Sequence, residues 1–189
     1  MKKILPLVAF VFYGFASNAA DNYKLDPSHT NITWQADHFG FSSQNGKFAE
    51  VEGDLLLDEK HPNKSQINVT INTKNIFTGL KKFDEHLKSD DFLKVKSFPT
   101  ATFISKKVVI TGKNTAKIHG DLTLVGVTKT IVLNVKLNKI GVNPISNKKT
   151  AGFSANTVIK RSDFGINYAL PAINDEVKLT IDAEANLAE

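Results

Sequence analysis

With 189 residues and no cysteine, the chain is long enough to bury a real core as one domain, and it has neither disulfides nor thiolate chemistry to draw on. Lysine and arginine number 24 against 19 aspartates and glutamates, a formal net charge of +5. The lysines interleave with acids (Lys81 and Lys82 beside Asp84 and Glu85, Lys88 beside Asp90 and Asp91), which reads as a solvated surface and argues against a nucleic-acid stripe.

The first residues have a composition of their own. Lys2 and Lys3 precede an apolar run from Ile4 to Phe15, and Ser17, Asn18, Ala19 and Ala20 follow. A basic start, a short apolar stretch and small residues two apart make residues 1–19 a secretory signal peptide, too short for a comfortable membrane span. Cleavage after Ala19 or Ala20 would leave an exported domain over residues 20–189 without an integral membrane span. Loss of Lys2 and Lys3 lowers its net charge from +5 to +3.

Beyond that point the chain alternates with a period of two. Tyr23 to Leu25 is a short extended piece, turned by Asp26-Pro27-Ser28. Ile32, Trp34, Ala36 and His38 then alternate with Thr33, Gln35 and Asp37 as a half-buried strand. Gly40 to Gly46 reads as a polar connection. Strands follow on Val51 to Asp58, Ile67 to Asn72, Ala101 to Val109, Ala116 to Leu124, Ile131 to Asn138, Ala151 to Ile159 and Val177 to Ala185, with apolar residues on one face and acids, lysines or amides on the other. That makes eight strands.

One stretch departs from this period. Leu80, Phe83 and Leu87 fall at i, i+3 and i+7 with charged residues between them, the pattern of a short helix with one apolar face. Phe98-Pro99 ends the insertion, because proline disfavours helix in the residue before it. A helical insertion near residues 80–93 is therefore expected to lie across one end of a β structure with its aromatics turned inward.

Eight alternating segments with short turns fit an antiparallel barrel or a two-sheet sandwich. The inward positions include bulky Trp34, Phe103 and Phe153 but also Ala36, Gly53, Ala101, Gly120, Ala151, Ala155 and Ala183. Small inward residues leave room for a ligand in a barrel lumen, and equally serve close sheet packing in an ordinary core.

The polar constellations are weak. Asp84, Glu85, His86, Asp90 and Asp91 point around a helix rather than to one face, so no metal site is expected there. Asp26, Ser28 and His29 lie too close in one turn for nucleophile, base and acid to meet in attack geometry, and Asp26 or Ser28 is expected to make local turn hydrogen bonds. His38, ending an inward alternation, is a core histidine or a contact for a ligand head. No catalytic residue, metal or cofactor is assigned.

Five ordered blocks together resemble the YceI-like family: Tyr23 to His29; Gly46-Lys47-Phe48; Asp84 to Phe92 with Phe98 to Phe103; Gly120 to Thr123 with Gly126-Val127-Thr128; and Arg161-Ser162-Asp163-Phe164-Gly165. The resemblance spans the whole mature chain. It implies an all-β fold, an eight-stranded antiparallel lipocalin-like barrel whose lumen holds a long polyisoprenoid or similar amphiphile, in exported proteins of the Gram-negative periplasm.

The expected function is thus binding of a prenyl quinone, prenyl phosphate or other long-chain lipid for transport, storage or sequestration. A structural or stress-related interaction module and, behind it, an enzyme acting on an isoprenoid or lipid are the alternatives. The expected ligand-binding residues are Trp34, His38, Phe83, His86, Leu87, Phe92, Phe103, Phe153 and Phe164, lining one apolar pocket under a lid formed by the insertion. Arg161 is expected to pin the closing segment, with a grip on a phosphate head as its other role. No nucleic-acid partner is expected, and the oligomeric state, a homodimer included, is open.

Overall fold

Alternation of apolar and polar side chains produces a sheet that curls until its ends meet. The computed structural model describes residues 20–189; the expected signal peptide at 1–19 lies outside the described residues. The elements run β1 (Asp21–Leu25), β2 (Asn31–His38), β3 (Ser42–Phe48), β4 (Glu52–Leu57), β5 (Gln66–Asn72), β6 (Ile76–Phe77), α1 (Lys81–Lys88), β7 (Thr100–Gly112), β8 (Thr115–Leu124), β9 (Val127–Val142), β10 (Lys149–Lys160) and β11 (Ile173–Leu187). All strand pairs are antiparallel.

The ring order is β1, β4, β5, β7, β8, β9, β10, β11, closed by β1 against β11. This is an eight-stranded antiparallel barrel with one α-helix among the described residues. Closure falls to a short strand because β11 is long: its 15 residues at about 3.3 Å each span ~50 Å. One end of its free edge takes β1, with Leu25 opposite Ala185. The rest takes β2, with Ile32 opposite Ile181 and His38 opposite Ile173.

Two expectations shift accordingly. The eighth ring member is the short Asp21–Leu25 piece, and the Ile32–His38 strand extends the sheet beyond the ring, carrying β3 and β6 with it. The stretch expected as a connection over Gly40 to Gly46 contains most of β3. Its inward alternation is carried by Gln44, Gly46 and Phe48, so apolarity does not reveal it. Gly46 is required by its partner: it pairs with Trp34, and a Cβ there would lie 2.8 Å from Trp34 Cζ2 and 2.9 Å from the Phe77 carbonyl oxygen.

The insertion folds as α1 followed by irregular turns. Asp84 Oδ1 accepts the Thr78 backbone N–H and hydroxyl, both at 2.7 Å, which fixes the entry, and backbone bonds from Leu93 to Leu87 and from Val95 to Lys88 roll the chain back under the helix. Leu87, Leu93 and Val95 are buried with Trp34, Ile76, Val125 and Ile166, while Phe83 and Phe92 pack against that cluster. The helix therefore covers one end of the lumen, as its apolar face requires.

Candidate functional site: an apolar lumen in two chambers

The barrel interior holds two cavities, of about 600 Å³ and about 380 Å³. Each falls in the size range of small-molecule sites. Ile32, Ile71, Leu122 and Leu179 line both, so the two are chambers of one lumen separated by a waist. These four side chains come from β2, β5, β8 and β11, and in each strand the inward phase of the alternation puts them there.

The wide chamber lies under α1. Six of the nine expected ligand-binding residues line it: Trp34, His38, Phe83, His86, Leu87 and Phe92. Phe103 and Phe153 line the narrow chamber instead, so the aromatics expected in one pocket are divided by the waist. Phe103 reaches inward because Gly120 faces it; a Cβ on Gly120 would stand 2.4 Å from Phe103 Cζ. Phe164 lines neither chamber. It is 2% exposed and packs into a cluster with Phe103, Leu122 and Ile159, a core residue just outside the lumen wall.

Among the polar residues lining the wide chamber, Thr73 and Arg161 are buried, while Asp37, His38, Gln44, His86 and Tyr168 are at least partly exposed. The His86 ring stands edge-on to Phe92 and to Tyr168, each at 5.0 Å, and its Nε2 is 3.1 Å from Asp91 Oδ2. These rings tie the helical insertion to the loop between β10 and β11. His38 packs edge-on against Phe39 at 4.4 Å. Trp34 meets Phe83 edge-on at 6.2 Å, and its indole N–H is buried without a hydrogen-bond partner.

Arg161, the single arginine of the chain, is 5% exposed and has the structural role expected of it. Its guanidinium donates to four backbone carbonyls: Nε to Asn174 (3.0 Å), Nη1 to Ile166 (3.1 Å) and Tyr168 (2.8 Å), and Nη2 to Ile173 (2.9 Å). Four of its five N–H groups are thereby spent, two on the loop that carries Ile166 and Tyr168 into the wide chamber and two on the start of β11. Asp175 stands beside it, accepting the Ser162 backbone N–H at 2.9 Å and the Ser162 hydroxyl at 2.7 Å. Burial lowers the Arg161 pKa from its ordinary value, with the Asp175 charge opposing.

At the far end, Lys149 fastens the ring. Its Nζ reaches Glu59 Oε1 at 2.6 Å and Asp21 Oδ2 at 3.1 Å, and these contacts, Glu59 first, push its pKa up. Outside the lumen, Asp26 makes the expected turn bonds, accepting the Ser28 backbone N–H at 2.9 Å and pairing with His29 Nδ1 at 2.8 Å. Hydrogen bonding to each other raises His29 and lowers Asp26. Asp26, His29 and Glu184 offer ligand atoms within 4.8 Å of one another; the turn pairs the first two, and the β1–β11 register, with Asp26 N–H donating to the Glu184 carbonyl, brings up the third. The acids and histidine of the insertion are divided: Asp84 serves Thr78 and Asp91 serves His86.

Sequence reasoning missed Tyr168 and Ile166, because the loop holding them has no periodicity. The one signal was the lone arginine preceding it. Among the described residues no helix is long and apolar enough to cross a membrane.

With this geometry in place, comparison with known proteins is direct. A family model described as a YceI-like domain matches residues 23–185. Protein YceI of Salmonella arizonae is 38% identical over 179 residues, covering 94% of this chain and 93% of its own. The crystal structure of the Campylobacter jejuni YCEI protein is similar at 32% identity and a TM-score of 0.70, over 81% of this chain and 90% of that one. A polyisoprenoid binding domain from Saccharophagus degradans shares the fold at 13% identity and a TM-score of 0.70, over 90% of this chain and all of its own.

Proposed function

We propose that this chain, which belongs to the YceI-like family, is an exported, periplasmic binding protein that holds a single polyisoprenoid chain in its lumen. A prenyl quinone or prenyl phosphate would thread the waist, with its tail in both chambers, and be carried, stored or sequestered there. The observation that carries this reading is the lumen itself: two chambers joined at four aliphatic residues and walled by apolar side chains. Each CH₂ removed from water contributes about 0.8 kcal/mol, so a long tail gains binding free energy without a charged contact. The polyisoprenoid-binding domain that shares this fold supports the same ligand class.

The head would sit at the rim of the wide chamber, where His38, His86 and Tyr168 supply hydrogen-bonding groups. Arg161 contributes to the reading as a positioning residue, since its guanidinium serves the loop. The protein acts by binding rather than catalysis on this reading, and the Asp26, Ser28 and His29 turn belongs to neither chamber. Ligand entry requires the insertion to move, because Phe83 and Leu87 roof the chamber.

Native mass spectrometry and organic extraction of the purified protein test the proposal, together with Trp34 emission during titration of delipidated protein with a long prenol. The expected result is a co-purifying lipid and a saturable response at one ligand per protein. No lipid in the extract and no saturable response to any long-chain isoprenoid or fatty amide would overturn it.

A further inference from the structure

The rim of the wide chamber is apolar on its outer side as well. Phe39 is 48% exposed, Leu80 63% and Tyr168 43%, yet all three also line the chamber, so they mark where the lumen meets solvent. They come from three separate segments: the β2–β3 turn, the entry to α1 and the loop after β10. Phe41, 91% exposed at the tip of the same β2–β3 turn, lines neither chamber.

The Phe39 ring packs on His38, but closure of the turn itself uses neither ring. Gly40 N–H donates to Asp37 Oδ1 at 2.7 Å and Phe41 N–H to the His38 carbonyl at 3.1 Å, so backbone and Asp37 make the turn. Phe39 holds a left-handed backbone, φ +56°, a conformation disfavoured for a bulky residue and suited to Gly or Asn. The conformational cost falls on Phe39, and exposure of Phe39 and above all of Phe41 is hydrophobically costly in water. The exposed Val142, ending β9, and Ile145 of the β9–β10 loop differ in having no chamber-lining residue in their own turn.

The charges beside the rim differ from side to side: exposed Asp91 pairs with His86 next to Tyr168, and the Leu80 side is basic. Lys81 and Lys82, both exposed, follow Leu80 directly, and Lys47 stands opposite Phe77 across the β3–β6 pair. The neighbouring acids Asp37 and Asp84 are turned to Gly40 and Thr78, which leaves Glu85 as the exposed acid of α1. Exposed aromatic and aliphatic side chains flanked by lysines, as on the Phe39, Phe41 and Leu80 side, are what an interfacial lipid-binding surface presents.

Resting on the lumen reading above, we propose that this rim is a docking face for a bilayer bearing anionic phospholipids. Phe39, Phe41 and Leu80 enter the headgroup boundary and Lys47, Lys81 and Lys82 meet the lipid phosphates. Because the same rim opens into the lumen, a tail passes from bilayer to chamber along continuous apolar surface, with no transit through water.

Vesicle flotation tests this with protein purified from expression of the full chain. The vesicles are phosphatidylcholine alone or phosphatidylcholine mixed with phosphatidylglycerol. Wild type is expected to float with the mixed vesicles and to bind more weakly without the anionic lipid. Phe41→Ser is expected to lower the bound-to-free ratio about tenfold, from the loss of one inserted ring. Lys81→Glu with Lys82→Glu is expected to lower it more than tenfold, at about fivefold per lysine removed plus repulsion. Neither variant touches the chamber lining, so saturation of Trp34 emission by prenol in solution stays at the wild-type midpoint.

A responsive Trp34 with no flotation of wild type overturns the docking face and spares the carrier reading. Flotation indifferent to Phe41→Ser and to lipid charge overturns it too, as does a dimer in sedimentation that Phe41→Ser dissolves while vesicles fail to bind. Charge-dependent, Phe41-dependent flotation supports docking, and if Trp34 is then silent the carrier reading alone falls.

Discussion

Leu179 is where the two-chamber description is most exposed to test. It sits on β11 between Trp34 of β2 and Thr157 of β10 and lines both chambers at the waist. Leu179→Phe puts a ring into that constriction. Overpacking a filled core costs about 1–3 kcal/mol, and a side chain growing into open lumen costs less, so the expected loss of Tm is no more than about 2–4 °C. Binding should change far more for long tails than for short ones. The narrow chamber, about 380 Å³ beside about 600 Å³, accommodates on the order of ten carbons of a tail. At ~0.8 kcal/mol per CH₂ their exclusion would cost ~8 kcal/mol, an upper bound that ignores ordering of the chain. The yield of real ligands, ~0.3 kcal/mol per atom, gives ~3 kcal/mol, roughly a hundredfold in Kd. Trp34 titrations with a long prenol and with a short one that fits the wide chamber alone read the two affinities. The long prenol should weaken roughly a hundredfold and the short one by less than about threefold. Equal losses for both, or none for either, would refute the threaded waist.

The remaining tests address single contacts. Arg161→Ala removes four donated hydrogen bonds and strands the Ile166, Tyr168, Ile173 and Asn174 carbonyls, so thermal unfolding without ligand should show a loss of about 3 kcal/mol or more; unchanged stability with weaker binding would point to a head-group role. Phe83→Asp removes the edge contact with Trp34 and places a carboxylate in the chamber roof, so prenol affinity should fall at least tenfold while the β circular-dichroism spectrum is retained. The His29–Asp26 pair adds a pH dependence. His29 is raised from 6.5, so its contribution is fully present below that pH and is lost as pH rises through the raised value; Asp26 is lowered from 3.8, so its contribution is present above that pH and is lost as pH falls. The stability difference between wild type and His29→Ala should therefore peak between these limits and shrink above neutrality, and a difference that grows with pH would contradict the pairing.

The barrel is readable in the sequence where each strand has one wet face, as in Glu52–Leu57 and Ile173–Leu187, because the lumen and the solvent select opposite residue types. It is unreadable at β3, where Gln44 and Gly46 occupy inward positions. Gly46 is glycine because Trp34 lies on it, a reason found in another strand. The closing role of Asp21–Leu25 was hidden for a related cause. Nothing local tells a five-residue strand that β11 is long enough to share one edge between two partners.

The site divides along the same line. Trp34, Phe83, Leu87 and Phe92 are legible as one lining because apolar spacing and inward phase place them under α1. The waist is not, since Ile32, Ile71, Leu122 and Leu179 are ordinary aliphatics in four strands and constrict the lumen only by falling at one level. Burial is non-directional, so on the carrier reading proposed above the chambers would measure a tail's length and the waist would decide whether it is threaded. On the same reading, directional selection would fall to groups at the rim, His38, His86 and Tyr168, and two of these depend on other parts of the chain. His86 is held by Asp91 and Tyr168 by Arg161. Changes at Asp91 or in the loop after β10 should therefore alter which head is accepted while leaving affinity for the tail intact, whereas changes at the waist should do the reverse.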